Sequence, residues 1–241
     1  MDIHKPKPIR NWRELLTEIG VIVLSVCIAL AAEQAVENLH NRSRAAEARA
    51  NIRTEIARNL GYMDVRQTTE TCMEKRLDEV DGLIAASAAG KLPQDALWIG
   101  QPRSFVMQDA RYKAAVQSGA VSLFDDKEQA VYADLYGQYE RYNRAVGEEE
   151  QDWANLRTLE KHPPASPTLD WQLCSALQMA RTHRFTINLR RQVTLKIAAG
   201  IGVTPTPEGQ SKWNSACVPL HTPRDEALKR SAVGDYNAPI P

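Results

Sequence analysis

Two pairs of residues have the types and the spacing of metal ligands. Glu37 and His40 form an E-x-x-H pair, a spacing that puts two ligands on one helix face in di-iron bundles. Such bundles need a second pair and further glutamates, which the sequence does not supply. Cys217 and His221 are four residues apart, again without the second pair that a zinc site requires. We therefore predict no metal and no other cofactor.

Motifs for catalysis and for nucleic-acid binding are also missing from the sequence. His162 and His183 have no Ser or Cys beside them in a nucleophile-type pattern. The chain contains no P-loop, GxGxxG, GxSxG or HExxH motif. Lys+Arg and Asp+Glu both number 30, so the net charge gives no reason to expect a nucleic-acid partner. The prediction is a protein that is not an enzyme, without catalytic residues.

The clearest periodicity in the chain is a heptad seam rich in aromatic residues. Its a and d positions are two series spaced by seven: Tyr132, Tyr139, Val146 and Trp153, and Leu135, Tyr142, Glu149 and Leu156. The seam is either a bundle core or a small-molecule pocket between helices, with Glu149 and Arg144 as the polar groups of the pocket. The candidate pocket or core residues are Tyr132, Tyr139, Tyr142, Glu149 and Trp153.

Glu149 is the charged member of this seam, and a buried carboxylate needs a partner. The last long helix carries three arginines that could supply the opposite charge. We predict that one of them pairs with Glu149 in a structural role: Arg184, Arg190 or Arg191.

Three of the four cysteines, Cys72, Cys174 and Cys217, follow the apolar N-terminal segment. In an oxidising compartment two of these three are expected to pair. If the long helices run up, down and up from a membrane, Cys72 and Cys174 differ in height by more than the roughly 7 Å that a disulfide allows between Cα atoms. We predict a Cys72–Cys217 disulfide with Cys174 as a buried thiol, and Cys72–Cys174 is the alternative.

An apolar segment near the N-terminus decides where the rest of the chain is placed. Residues 15–36 extend over 22 positions, about 33 Å of helix, which is enough to cross a bilayer. The apolar residues that define it are Leu15, Leu16, Ile19, Gly20, Val21, Ile22, Val23, Leu24, Ile28, Leu30 and Val36. A cleaved signal peptide, cut at the A-x-A pattern that ends at Ala31, and a buried core helix are the alternatives. The absence of a helix breaker after Glu33 favours an anchor.

The charges on either side of this segment predict its orientation. Lysines and arginines precede it at Lys5, Lys7, Arg10 and Arg13, whereas the residues just after it include Glu33 and Glu37. The positive-inside rule then places the N-terminus in the cytoplasm. We predict a single-pass protein of the inner membrane, with its C-terminal domain in the periplasm. The helix is predicted to begin with Asn11 as its N-cap.

The remaining chain is predicted to be all-α. The membrane helix continues as a stalk, followed by a short helix over 105–117 and a long helix capped by Asp125 or Asp126. A last helix begins at Ser166-Pro167, and its second half is taken as helix although its residues also alternate like those of a strand. The predicted architecture is a stalk and an antiparallel helical bundle, with an extended or partly disordered C-terminal arm. Part of this arm is expected to pack back through Trp213, Cys217 and Leu220. The predicted segments are 1–14 (cytoplasmic), 15–36 (transmembrane), 37–202 (stalk and bundle) and 203–241 (arm).

Two blocks of the sequence carry a resemblance to a known group of proteins. HKPKPIRNWRELLTEIGVIVLSVCIALAAEQAVENL resembles the N-terminus of uncharacterised proteobacterial membrane proteins, which open with a KPKP…WRE…AEQxxE pattern. KAAVQSGAVSLFDDKEQAVYADLY is similar to their SG block at Ser118, Gly119, Leu123, Glu128, Tyr132, Ala133, Leu135 and Tyr136. The resemblance implies a single span and a helical extracytoplasmic domain, and it implies no activity.

These observations predict a scaffold or accessory subunit that acts through protein contacts on the periplasmic side of the membrane. Its partner is expected to be another membrane or periplasmic protein, or a second copy of the chain. The alternative is a periplasmic sensor that binds a small molecule in the aromatic bundle.

Overall fold

The computed structural model describes residues 12–95, 97–207 and 215–231. These residues form α-helices and short 3₁₀ helices without a strand, which confirms the all-α prediction. The α-helices are α1 (Trp12–Gln67), α2 (Glu70–Ala88), α3 (Ala110–Gln117), α4 (Asp126–Leu156), α5 (Pro167–Gly200) and α6 (Arg224–Ser231). The 3₁₀ helices are Val121–Leu123, Arg157–Lys161 and Ser215–Cys217.

Helix α1 joins the apolar segment to the folded domain without interruption. It has 56 residues, about 84 Å at 1.5 Å per residue. Within the described part of the chain, it is the helix that is long and apolar enough to cross a membrane, and the apolar window is 0% buried against the protein. The stalk predicted to continue the span is therefore present as part of one helix. The predicted cap at Asn11 and residues 1–11 lie outside the described residues.

Two threonines separate α1 from α2. The hydroxyl groups of Thr68 and Thr69 donate to the carbonyls of Val65 and Arg66, both at 2.7 Å. Local hydrogen bonds of this kind compete with the backbone bonds of a helix. The amide of Thr69 bonds three residues back to Arg66 at 3.0 Å, so the helix tightens and ends there. The single long stalk helix expected from the sequence is thus two helices in series.

The connection between α2 and α3 descends along α1. As the connection proceeds from Arg103 to Gln108, its backbone contacts positions progressively nearer the N-terminus of α1. Arg66 donates to the carbonyl of Arg103 at 3.1 Å, and the Asn59 side chain forms two hydrogen bonds, of 2.7 and 3.0 Å, with the backbone of Gln108. Helix α3 begins at Ala110, five residues after its predicted start. The backbone before it is held extended by these side chains of α1.

Helix α4 runs parallel to α1, whereas the predicted up, down and up order has it descend towards the membrane. Ion pairs and hydrogen bonds join the two helices in ascending order: Arg49 to Glu128, Glu55 to Tyr136 and Arg66 to Glu149. The prediction was wrong because the connection over 89–109 makes the descent. The predicted N-cap is observed, with the Asp125 side chain accepting from the amide of Glu128 at 2.8 Å.

Helix α5 runs antiparallel to the other long helices. Its arginines meet acidic residues of α2 and α1 in reverse order: Arg181 with Asp78, Arg184 with Glu74, and Arg191 with Asp64. Ser166 caps it by accepting from the amide of Leu169 at 3.2 Å. The segment with strand-like alternation lies inside this helix, as predicted.

Part of the C-terminal arm packs back on the domain, as expected from Cys217 and Leu220. Residues 203–207 follow α1, where the amide of Thr206 donates to the carbonyl of Ala57 at 2.9 Å. Residues 215–231 form a 3₁₀ helix and α6, and Ala216 and Leu220 are buried in the domain. Trp213, expected to pack back, lies outside the described residues.

Two apolar cores lie one above the other along the bundle. The lower core joins α1, α3 and α4 near the apolar end of α1 and includes Ile52, Ile56, Leu60, Met63, Leu135, Tyr139 and Tyr142. The upper core joins α2, α4, α5 and the arm and includes Met73, Leu77, Val80, Trp153, Leu156, Leu173, Leu177 and Leu220. The boundary between them falls where α1 gives way to α2.

Candidate functional site

The aromatic seam lies inside the bundle and is shared between the two cores. Tyr132, Tyr139 and Tyr142 belong to the lower core and Trp153 to the upper core, each at most 1% exposed. The structure does not bring these side chains together around one pocket. Tyr139 instead packs edge-on against Tyr136, with ring centroids 5.3 Å apart. Burial of this kind matches the core interpretation of the seam.

Glu149 lies between the cores and pairs with Arg66 of α1. One guanidinium nitrogen donates to both carboxylate oxygens, at 2.8 and 2.6 Å, and the two side chains are 3% and 1% exposed. Burial raises the pKa of the Glu149 carboxyl, and the charge and hydrogen bonds of Arg66 oppose that rise. We call Arg66 and Glu149 the polar layer.

The partner predicted for Glu149 was wrong, because the arginines of α5 are occupied elsewhere. Arg184 contacts Glu70 at 3.3 Å, Arg191 contacts Asp64 at 2.6 Å, and Arg190 donates to the amide oxygen of Gln138 at 3.3 Å. Arg66 could have been identified as the partner of Glu149 only by placing α1 and α4 parallel to each other. The other polar group proposed for the pocket, Arg144, is 67% exposed.

The Tyr142 hydroxyl lies close to the polar layer. Burial raises its pKa to about 12, and the positive charge of Arg66 opposes the rise. Within the described part of the chain, this oxygen has no hydrogen-bond partner, nor has the buried hydroxyl of Thr194. A phenol with a raised pKa stays protonated at neutral pH, so it is not poised to accept a proton. The polar layer therefore offers two charges that neutralise each other, and Tyr142 beside it is a neutral phenol.

Glu55 is a second buried carboxylate, and no motif or spacing in the sequence marks it. It accepts hydrogen bonds from the Tyr136 hydroxyl at 2.6 Å and from the amides of Arg111 and Tyr112 at 2.8 and 3.3 Å. Those amides are at the N-terminus of α3, where helix N–H groups lack partners within the helix. Burial, followed by the bond to Glu55, raises the pKa of Tyr136. Glu55 thus acts as a cap supplied by another helix.

His183 is the histidine with the most contacts to carboxylates. Its Nδ1 lies 2.7 Å from an oxygen of Asp152 and its Nε2 lies 3.2 Å from an oxygen of Glu148, both on α4. Burial raises the pKa of Asp152, and His183 opposes that rise through its hydrogen bond and charge. The arrangement fixes the imidazole between two helices, and it joins α5 to α4.

Cys72 and Cys217 lie at disulfide distance, with Cα atoms 5.2 Å apart, as the predicted pairing requires. Beside them, the buried guanidinium of Arg76 donates to the carbonyls of Ile99, at 2.6 Å, and Val218. The cross-link and this arginine attach the arm to α2. Cys174, predicted to be buried, is exposed, because α5 turns that side away from the core.

A glycine allows the arm to approach the connection that follows α2. Gly100 has a positive φ of 68°, and a Cβ on it would stand 2.4 Å from the carbonyl oxygen of Ser215. A side chain is therefore excluded at this position. The Trp98 indole donates to the same oxygen at 2.9 Å, which completes the contact.

The metal-ligand pairs of the sequence do not form sites. Glu37 and His40 are both exposed on α1, His221 contacts Asp95 at 2.8 Å, and Cys217 is paired with Cys72. In the described ranges, no group of three or more His, Cys, Asp or Glu residues could hold a metal ion.

An open groove of about 520 Å³ lies between α1 and α3, next to the loop of the SG block. Arg44 donates to the carbonyl of Ser118 at 2.6 Å, and Arg111 donates to Asn51 at 2.9 Å. These bonds attach the loop to the stalk just above the apolar segment.

Comparison with known proteins finds no matching family model, curated protein or solved structure.

Proposed function

We propose that this chain is a non-enzymatic scaffold or accessory subunit, anchored in the inner membrane and acting through protein contacts on the periplasmic side. The observation that carries the proposal is the single uninterrupted helix α1, which joins an apolar segment to a closed bundle. Such a construction holds an outer surface at a fixed height above a bilayer. The buried side chains inside the bundle contact one another and stabilise the fold.

The location in the inner membrane is supported by charge and by the cysteines. Positive residues lie N-terminal to the apolar segment, which favours a cytoplasmic N-terminus. The Cys72–Cys217 pair suits an oxidising compartment such as the periplasm. The resemblance to single-span proteobacterial proteins agrees with this arrangement.

The absence of an activity is supported by how the ionisable groups are used. Glu149 is neutralised by Arg66, Glu55 caps α3, and His183 is held between two carboxylates. Each of these groups is engaged with another part of the domain. A catalytic site needs such groups aimed at a space that a substrate can enter.

A periplasmic sensor is the second candidate, and the aromatic seam motivates it. A ligand there would have to displace side chains that are already in contact, such as Tyr136 and Tyr139. The sensor function therefore requires the bundle to open, whereas the subunit function uses it as it stands.

Purification of the full chain in a gentle detergent separates the two candidates. The subunit proposal expects a protein partner or a second copy at fixed stoichiometry, with no small molecule in denatured extracts analysed by mass spectrometry. A monomer that retains a small molecule would replace it with the sensor. N-terminal sequencing of the membrane fraction tests the anchor, and a mature chain beginning at Ala32 would overturn it.

A further inference from the structure

Helix α5 has a solvent face with large apolar side chains at its centre. Trp171 is 71% exposed, Phe185 69% and Leu189 40%. Ala180 and Ile187, on the opposite side of the same helix, are at most 1% exposed. At 100° per residue, Trp171, Phe185 and Leu189 all lie within about 40° of one line that points away from the core. Exposed aromatic residues aligned in this way indicate a contact surface.

The spacing along this face is that of a heptad seam. The a and d positions, alternately four and three residues apart, are Trp171, Ser175, Gln178, Thr182, Phe185 and Leu189. We call these six residues the outer face of α5. None of the six is charged. Arg181 and Arg184, which flank the face, contact carboxylates of α2. The first charge at the same spacing is the exposed Lys196, one heptad beyond Leu189.

We propose that the outer face of α5 binds the same face of a second copy of this chain, with the two α5 helices parallel. The inference rests on the proposed membrane anchor. Two copies inserted in one bilayer have the same orientation, so a two-fold axis between them must stand along the membrane normal. Helices that pack across such an axis are parallel, and each central residue meets its own counterpart.

The neutrality of the outer face favours a second copy over a different protein. In a parallel two-fold contact any charge at the centre would lie against an identical charge, which is destabilising. A different partner carries no such restriction, and complementary charges would give it specificity and a faster association rate. The stretch from Trp171 to Leu189 satisfies this condition, and Lys196 lies beyond its end.

The size of the face fits an anchored dimer. Trp171 to Leu189 extends over about 27 Å of helix, and a strip about 10 Å wide buries roughly 300 Å² on each copy. This area is below the roughly 800 Å² per partner of stable soluble complexes. Confinement to one membrane raises the effective concentration of the two copies, so a small contact suffices.

Cysteine cross-linking of the full chain in its native membrane tests the proposal. The background is Cys27→Ser with Cys174→Ser, which leaves only the Cys72–Cys217 pair. Gln178→Cys is added at the centre of the outer face, and a mild oxidant is applied. We expect a covalent dimer of about twice the 26.9 kDa monomer mass, because central positions of parallel helices lie within disulfide reach. The matched control is Gln151→Cys, an exposed site on α4, which should remain monomeric.

A second variant shows whether the outer face drives the contact. Trp171→Ser with Phe185→Ser, both at exposed sites, should abolish the Gln178→Cys dimer while membrane fractionation and the Cys72–Cys217 cross-link stay unchanged. A Gln178→Cys chain that stays monomeric, or that cross-links to a different protein, overturns the proposal. Both results leave the anchored-subunit function standing. Loss of the chain from the membrane would overturn that function instead.

Discussion

The lower and upper halves of the bundle are held together in different ways. In the lower half, side chains of α1 form hydrogen bonds with the backbone that descends beside it. Glu55 caps α3, and the Asn59 side chain bonds to both the carbonyl and the amide of Gln108. In the upper half, the cross-link at Cys217 and the guanidinium of Arg76 attach the C-terminal arm. The lower half thus depends on hydrogen bonds between side chains of α1 and the backbone over 108–112. The upper half depends on a long-range covalent bond.

The polar layer between the halves should give the largest effect. Arg66→Met or Glu149→Leu alone should lower the free energy of unfolding by about 3–5 kcal/mol, because the remaining charge is buried without a partner. The double variant should recover to within about 1 kcal/mol of the parent, or exceed it. Urea unfolding of the full chain in detergent measures both. A double variant as unstable as the single ones would show that the layer contributes more than charge neutralisation.

The disulfide should matter chiefly to the upper half. Cys72→Ser with Cys217→Ser should lower the free energy of unfolding by about 2–4 kcal/mol, since it frees a loop of 145 residues. Hydrogen exchange should speed up in α2, α6 and residues 215–223, while α3 keeps its protection. Cys174→Ser removes an exposed thiol and serves as the control. Equal loss of protection in both halves would contradict the prediction that the disulfide stabilises chiefly the upper half.

Removing the cap that Glu55 supplies should destabilise the lower half. Glu55→Ala leaves the Tyr136 hydroxyl and two amides of α3 without their acceptor, which we expect to cost about 1–3 kcal/mol. Hydrogen exchange of α3 reports the effect. Glu47→Ala changes an exposed glutamate of the same helix and should leave α3 unchanged. Protection of α3 that survives Glu55→Ala would refute its role as a cap.

The helix caps should give the smallest effects and distinguish the two ends. Asp125→Ala removes the cap of α4 at the lower end, and Ser166→Ala removes that of α5 at the upper end. Each should cost about 1 kcal/mol. Thermal unfolding followed by circular dichroism measures both, with Ser122→Ala, an exposed serine, as the comparison. A loss confined to one cap would show that the other helix end is held by packing.

Periodicity along single helices could be read from the sequence, and relations between distant segments could not. The seam at Tyr139 and Tyr142, the cap at Ser166 and the helical second half of α5 follow from local patterns. The direction of α4 depended on the connection over 89–109, whose residues have no period. That error carried over to the partner of Glu149, because Arg66 lies beside it only when α1 and α4 are parallel.

The cysteines show the same limit in another form. The prediction of a Cys72–Cys217 pair rests on heights along the bundle that require α4 to descend and α5 to rise, and both directions are wrong. The pairing nevertheless matches, because Cys217 follows the last long helix and returns to α2 whichever way that helix runs. Cys174 is exposed, and the prediction that it is buried was wrong. Nothing local in the sequence shows which side of α5 faces its neighbours.

Helix α1 also has a mechanical consequence. From Val36 to Gln67 it has no break, so about 46 Å of rod rises from the end of the apolar segment to the start of α2. With the proposed membrane anchor, the bundle must follow any tilt of the apolar segment in the bilayer. A change of about 10°, well within the range of membrane helices, would swing the upper end sideways by roughly 8 Å. A change in bilayer thickness that alters the tilt of the span would thereby displace the upper end of the domain.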